Sequence, residues 1–375
     1  MRYLDTKYWN ASLLADVKYL KVQHFFKPCL FIFILSSLAF SANAQMGGTS
    51  VFPLLNESPS ARVTAMGGLF ISVLDNDASL ALQNPSLISP MMHNRLSLNY
   101  VDYLADLKEG YTGYVRSFDK IKTTFNGGIQ FLNYGNFTMT DDVGNVTGTF
   151  DGSEYALTLG AGRTYAERFH YGVSATFLTS KLESYSATGA ALTFAGAYND
   201  SAKGFTTTVL FKNVGTQFES YIAGDNESLP FDIQAGISKR IEHTPFLFSL
   251  VLHDLYHWDM RYDDPNQTDQ STILIDSTQS TKQKSYVADN FFLHTIFGLE
   301  IYFGNAFRVN LAYNHQRRQE LAIESRRGLA GFSFGADLTI NRFTVSYGRA
   351  IYNVAGGVNQ FSLAVNLDEL FGKKM

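Results

Sequence analysis

The sequence predicts an all-β chain: a membrane-spanning antiparallel β-barrel of about 14 strands behind a short helical N-terminal segment. Three observations carry this. The first is alternation. Ala330, Phe332, Phe334, Ala336, Leu338 and Ile340 share one face, and Gly331, Ser333, Gly335, Asp337 and Thr339 the other. Asn341-Arg342 makes a two-residue turn, after which Phe343, Val345 and Tyr347 alternate with Arg342, Thr344, Ser346 and Gly348. Side chains of a strand point to opposite faces with period two. The result is a hairpin with one apolar face and one small or polar face. Its strands run about ten residues, the length that crosses a bilayer when tilted. Strands of soluble sandwiches usually run about five or six.

The second observation is composition. Charged residues make up 17% and aromatics 14%, with 31 Phe, 21 Tyr and 30 Gly. An ordinary soluble domain carries about 25% charged residues. A large secreted β-sandwich is the alternative that composition alone leaves open. The net charge of −4 argues against nucleic acid as a partner. The single cysteine, Cys29, excludes an intramolecular disulfide, a Cys-based metal site and, once the leader is removed, a thiol nucleophile.

The third observation is the sorting of connections. Strands are predicted at 93–103, 108–116, 123–134, 153–164, 167–178, 187–199, 205–213, 229–240, 245–253, 290–303, 305–314, 328–339, 341–350 and 357–366. The linking segments 135–152, 179–186, 214–228, 254–289 and 315–327 are long. Those at 117–122, 165–166, 200–204, 241–244, 304 and 340 are short. Transmembrane barrels show this asymmetry, with short periplasmic turns and longer outer loops. The first and last outer connections, 104–107 and 351–356, are short and depart from it.

Taken in order, residues 1–44 read as a signal peptide. Lys18, Lys21 and Lys27 precede the apolar run Cys29–Phe40, and cleavage is expected near Ala44, after Ala42-Asn43-Ala44. Residues 45–92 form a pre-barrel plug segment. Ser58 or Ser60 caps a helix within Ser58–Met66, and Asp75 and Asp77 cap a second helical turn that Asn84-Pro85 stops. The barrel occupies 93–371, and 372–375 form a periplasmic tail. No later window holds about eighteen consecutive apolar residues, so a helical membrane protein is excluded.

The chain offers little to an enzyme. His253, Asp254, His257 and Asp259 cluster at the foot of the longest loop, but the run lacks the Glu of a zincin motif and reads as a solvated loop. Asp263, Asp264, Asp269 and Asp276 in that loop match no calcium-loop spacing. His170 and His315 fall at strand ends, no Ser stands in a Gly-x-Ser-x-Gly setting, and no P-loop or dinucleotide fingerprint is present. No catalytic residue, metal or cofactor is expected. Glu154, Asp232, His294, Glu300, Asp337 and Arg342 have inward parity and are expected to face the lumen, in ion pairs with the plug or along a transport path. Tyr256, Trp258 and Tyr262, near Phe291, are either membrane-girdle residues or anchors for a partner.

The pre-barrel segment carries a resemblance. Gly47-Gly48-Thr49-Ser50-Val51-Phe52, Ser58-Pro59-Ser60-Ala61-Arg62, Gly67-Gly68, Asp75-Asn76-Asp77 and Asn84-Pro85-Ser86 resemble the start of the PorV/PorQ group of Bacteroidetes type IX secretion barrels, distant relatives of the FadL-type transporters. Ser86 stands where the wider superfamily has Ala. The resemblance implies a fourteen-stranded outer-membrane barrel with its N-terminal segment in the lumen. It also implies a role anchoring a PorZ-like surface protein beside PorU-like and PorV-like components of a cargo-attachment complex. A FadL-like channel for hydrophobic molecules is the alternative.

Overall fold

The structure, a computed structural model, describes residues 50–103, 107–260, 287–321, 328–352 and 356–370. The expected leader, Tyr262 with the four aspartates that follow it in the loop, Phe371 and the tail lie outside the described residues.

Fourteen strands close into one antiparallel barrel, each paired with its sequence neighbours and β1 with β14. They are β1 (Arg95–Asp102), β2 (Lys108–Phe118), β3 (Thr123–Thr140), β4 (Val146–Tyr165), β5 (Phe169–Leu182), β6 (Tyr185–Asp200), β7 (Phe205–Glu219), β8 (Asp232–Arg240), β9 (Phe246–Leu252), β10 (Thr295–Phe303), β11 (Phe307–Asn314), β12 (Phe332–Ile340), β13 (Phe343–Ile351) and β14 (Gly357–Asn366). Closure leaves no open sheet edge in the bilayer, where an unpaired backbone group has no water to bond.

The hairpin at 330–348 forms as predicted, β12 and β13 joined at Asn341-Arg342 with Asn341 in the left-handed region at φ 50°. Phe332, Phe334 and Leu338 point outward, while Ser333, Gly335 and Asp337 are buried inside. The same division runs around the wall. Tyr155, Leu157 and Leu159 are exposed to the outside, and Glu154, Ala156 and Thr158 face the lumen. Exposed apolar side chains on every outward face are what a lipid-bathed surface requires. Aromatic pairs such as Phe118–Phe125, Phe169–Tyr198 and Phe303–Phe307 lie close to the short-turn end. By the loop asymmetry of such barrels, that end faces the periplasm. There α5 (Leu367–Leu370) follows β14, and Asp368 accepts a 2.6 Å bond from Asn94 beside β1.

Several boundaries differ from expectation. The segment 135–152 is not a loop: β3 and β4 run on past the wall and meet in a turn at 141–145. β5 and β6 likewise run on to a two-residue connection at 183–184, and β7 continues to Glu219. Gly, Asn and Asp in these stretches read as turn formers, yet each strand has a ladder partner that keeps it extended. Residues 290–293, expected to begin a strand, belong to α3 (Val287–Leu293), because a short apolar run does not separate helix from strand. Residues 315–321, expected as loop, form α4 (His315–Leu321).

The lumen is filled by the segment from Ser50 to Met92. Ser50 makes a parallel bridge to Ser228 at the outer end. The chain then passes through a 3₁₀ turn (Pro53–Asn56), α1 (Ala61–Ala65), α2 (Leu80–Gln83) and two further 3₁₀ turns before β1. Ser60 caps α1 by accepting from the Val63 amide. Wall glycines seat this plug. A Cβ at Gly172 would strike the Pro85 carbonyl, one at Gly348 the Ala61 carbonyl, and one at Gly335 the Ala65 methyl.

The outward face sets a test. Leu159→Arg, on the lipid side of β4, is expected to cost about 2–4 kcal/mol if it lies at the bilayer midplane, and Tyr185→Arg, at the outer top of β6, about 0–1 kcal/mol. Urea unfolding in lipid vesicles measures both, and equal costs would mean the membrane does not cross where the wall is placed.

Candidate functional site

The seat of the plug is built around Arg62, which is 1% exposed. Helix α1 presents it to the wall, where its Nε and Nη2 donate to the two oxygens of Glu300 on β10 at 2.7 and 3.0 Å. Its Nη1 donates to Asp75 at 2.6 Å and to Asp77 at 3.2 Å. The guanidinium also lies over the Phe70 ring, 4.9 Å from its centroid. Arg308 on β11 extends the network, 3.6 Å from Asp75 and 3.3 Å from Asp337. Tyr302 donates to Glu300 at 2.8 Å and Asn310 to Asp337 at 2.7 Å. Burial alone would raise the Asp75 carboxyl, but Arg62 and then Arg308 outweigh it and hold Asp75 below the usual carboxylate range. The Arg62 guanidinium is correspondingly held charged, against its own burial, by Asp75 and Glu300.

The plug motif has a local reason. Asp75 accepts the Asp77 amide at 2.9 Å, and Asp77 accepts the Ser79 amide and hydroxyl at 3.0 and 2.7 Å. These bonds fold the turn that brings both carboxylates to Arg62, so Asp75 and Asp77 serve as turn formers and ion partners together. Asn84, fully buried, closes α2. It donates to the Ile71 carbonyl at 2.7 Å and accepts from the Ser86 amide at 2.9 Å, which starts the Pro85–Leu87 turn. Further ties reach other strands: the Ala61 amide bonds the Ser362 hydroxyl at 2.8 Å, and Thr64 bonds Gln360.

A second cluster lies toward the outer end. The Tyr103 hydroxyl is 2.6 Å from Glu57 of the plug and 3.1 Å from Glu109 of β2, and Gln130 donates to Glu109 at 2.9 Å. Burial pushes the Glu57 carboxyl up, against the bond from Tyr103 and the charge of Arg317. Arg317 of α4 reaches the Gly67 carbonyl at 3.3 Å and stacks on Tyr352.

The expected lumen residues are placed as follows. Glu300 and Asp337 join the Arg62 network. Glu154 accepts from the Leu54 amide at 3.2 Å and from Tyr134 at 2.8 Å. Asp232 accepts from Gln234 and from the Asp254 amide. His294 is inside but precedes β10 instead of lying within it, because α3 occupies the preceding residues. Arg342 is corrected. It sits in the β12–β13 turn at the rim, its Nη1 3.4 Å from the Leu370 carbonyl, so it lines the periplasmic mouth and not the lumen wall. Trp258 stacks on His294 at 4.9 Å, and Tyr256 packs edge-on against Phe231 at 5.4 Å. Arg62 itself is not among the residues expected from sequence to face a partner group. A lone Arg in a short helix of small and apolar residues was the available signal.

Two cavities flank the plug. One of about 220 Å³ opens at the short-turn end and is lined by Arg95, Arg240, Arg308 and Arg342 with Asp77 and Glu369. The other, about 30 Å³, lies between the plug and β3–β7 beside Lys212 and Gln130. Among the described residues, no group of three or more His, Cys, Asp or Glu is arranged to hold a metal ion.

No family model and no curated protein matches the chain. Solved structures do. The deltaS2 mutant of the TodX monoaromatic hydrocarbon channel superposes with a TM-score of 0.50 at 10% identity, over 84% of this chain and 98% of that one. The deltaS2S3 mutant of the same channel gives 0.50 at 11%, over 82% and 98%. A Pseudomonas aeruginosa FadL homologue gives 0.44 at 11%, over 83% and 98%. The closed fourteen-strand barrel thus shares its fold with this channel.

Two outcomes are expected of the plug seat. Arg62→Ala strands buried carboxylates and should weaken plug docking by about 3–5 kcal/mol. A cysteine at the buried Ser86 should then react with a maleimide while the barrel stays folded. Acid acts with a definite sign. Asp75 is held low, so its contribution is present at and above the ordinary carboxylate value and is lost as pH falls through its lowered value. In Ser86→Cys with Arg62 intact, labelling by 4,4′-dithiodipyridine, which still reacts with thiols in acid, should therefore rise only in strong acid. Release already in mild acid would show that Asp75 does not hold the plug.

Proposed function

We propose that this protein is a plugged outer-membrane channel that admits small hydrophobic molecules, with residues 50–92 as the movable element. The observation that carries the reading is an apolar strip on the inside of the wall. Leu132, Ala156, Leu178, Ala187 and Ala191 face inward and pack against Val51, Phe52 and Leu54 of the plug. Leu210, Val251 and Ile296 pack against Ile71. The lumen of a water-filled pore is polar. A wall that is apolar where the plug leaves it would instead offer a hydrophobic solute a continuous surface. The plug is fastened by discrete polar ties, which can open one at a time. TodX, which shares the fold, is described as a channel for monoaromatic hydrocarbons.

A second reading rests on a different observation. Strands β3–β7 rise beyond the rest of the wall, and they and their connections carry exposed Phe137, Val143, Val146, Phe218 and Ile222. Exposed apolar anchors above a membrane suit a protein partner. With the resemblance of the pre-barrel motifs to the PorV/PorQ group, this supports a role anchoring a PorZ-like surface protein beside PorU- and PorV-like components. The described part of the loop at 254–289 folds back onto the wall, so in this reading the β3–β4 ribbon takes its place as the anchoring surface.

A tether separates the readings. Ala61→Cys with Ser362→Cys puts a thiol on each of two residues that now touch, the Ala61 backbone amide donating to the Ser362 hydroxyl at 2.8 Å. Oxidation should abolish uptake of a labelled aromatic hydrocarbon by cells, and reduction should restore it. Uptake unaffected by the tether would overturn the movable plug. Loss of surface-protein retention on shortening β3–β4, with uptake unchanged, would favour the anchor.

A further inference from the structure

At the outer end of the lumen, His294 is fully buried between α3 and β10. Its Nδ1 lies 2.7 Å from the His253 carbonyl oxygen, and its Nε2 lies 3.1 Å from the Trp258 carbonyl oxygen. A carbonyl only accepts. A neutral imidazole has one N–H, so it satisfies one of these contacts and sets a lone pair against a lone pair at the other. Only the imidazolium donates at both. The face of the ring is covered by the Trp258 indole, with centroids 4.9 Å apart and planes 24° from parallel, an arrangement that also favours a cation.

From this we infer that His294, as an imidazolium, is a proton-operated clasp that holds His253–Trp258 against the outer end of the wall. Its consequence for transport rests on the channel reading, since the held segment is bonded to the outer end of β8 and to His294 beside β10. Rising pH removes the proton, breaks one of the two bonds and loosens the Trp258 end, which the Asn290 side-chain amide still holds by donating to Asp259 at 3.3 Å. The His253 end is tied separately, by the Asp254 amide to Asp232 at 2.7 Å and the Leu255 amide to Ile233 at 3.2 Å.

The surroundings agree with a cation. From the clasped segment come His253, Asp254 and Asp259; Asp254 lies 2.9 Å from His253 Nδ1. From β8 comes Asp232, from β7 Lys212, and from α3 Asp289, three residues before the Phe292 that packs near His315. Burial would raise the Asp254 carboxyl, but the bond from His253 and the charges of His253, His294 and Lys212 hold it low. Asp254 therefore stays ionised while a histidine titrates. Among these groups four carboxylates stand against one lysine, and Asp254 interacts directly with the His294 charge.

Trp258 reports on the clasp directly, since a protonated imidazole stacked on an indole quenches its emission. In a Trp9→Phe background Trp258 is the sole tryptophan, because the chain has two. The purified barrel in detergent should show low emission on the acid side and a rise through a one-proton transition as pH is raised. His294→Asn should abolish the transition, and His253→Asn should keep it. A measurement without a variant at the clasp is the ring nitrogen spectrum of ¹⁵N-histidine protein, in which one solvent-shielded ring, besides the exposed ones, should show both nitrogens protonated below the transition. A neutral pattern for every buried ring throughout, or an emission transition that survives His294→Asn, overturns the proposal. Hydrocarbon uptake on the same preparations separates the two ideas. If the spectra titrate and uptake occurs but ignores pH, the clasp stands without controlling passage. If uptake fails at every pH, the channel reading falls and the clasp is judged by the spectra alone.

Discussion

A charge sits inside the lumen, and much of the rest follows from the need to neutralise it. Moving a guanidinium out of water costs several kcal/mol unless good partners replace the water. Arg62 finds them in a bidentate pairing with Glu300 and in two aspartates of its own segment. The wall must then carry Glu300 at one height of β10, and the plug must fold its Asp75-Asn76-Asp77 turn back over α1. Arg308 and Asp337 continue the same account on β11 and β12. Apolar packing alone would let the plug slide or rotate, because hydrophobic burial has no direction. The ion network gives it one position.

The wall is shaped to receive that position. Inward sites opposite the plug are often Gly, Ala, Ser or Thr, so backbone meets backbone at Pro85 with Gly172 and at Ala61 with Gly348. Close approach brings the Ala61 amide to Ser362 and the Thr208 hydroxyl to the Ile71 carbonyl. The outward sites of the same strands carry Phe, Leu and Tyr, so each strand answers to two solvents at once. The high glycine content thus has a structural reason in the plug as well as in turns.

Much of this was legible in the sequence. Alternation around Phe332–Thr339 and Asn341-Arg342 placed a hairpin correctly, because a bilayer enforces period two wherever lipid touches the strand. It failed at 135–152, where β3 and β4 have left the lipid and Thr138, Thr149 and Gly148 need no apolar face. It failed again at Asn290–Leu293, where an apolar run fits a helix equally well. Glu300 and Asp337 were read as lumen residues by parity alone. Their partner Arg62 was not, since pairing across the lumen joins residues far apart in the chain and no local spacing records it. Arg342 was misplaced by one turn residue, where parity ceases to mean inside or outside.

The placement of the ties bears on how such a plug would open. The Arg62 network brings two guanidiniums against four carboxylates, counting Glu300, Asp75, Asp77 and Asp337. It borders a polar cavity of about 220 Å³ at the periplasmic mouth, with Arg95 and Arg240 on its walls. Asp77 and Arg308 line that cavity, so these outer members of the network can exchange partners for water as the ions part, while Glu300 stays buried. On the opposite side the plug meets Leu132 and Leu178, where separation exposes apolar surface and water gains nothing. A solute that wets apolar surface lowers the cost of parting the plug from β3–β6, whereas a polar solute does not. Selectivity for hydrophobic molecules would then arise from the interface that must open, without a dedicated binding pocket.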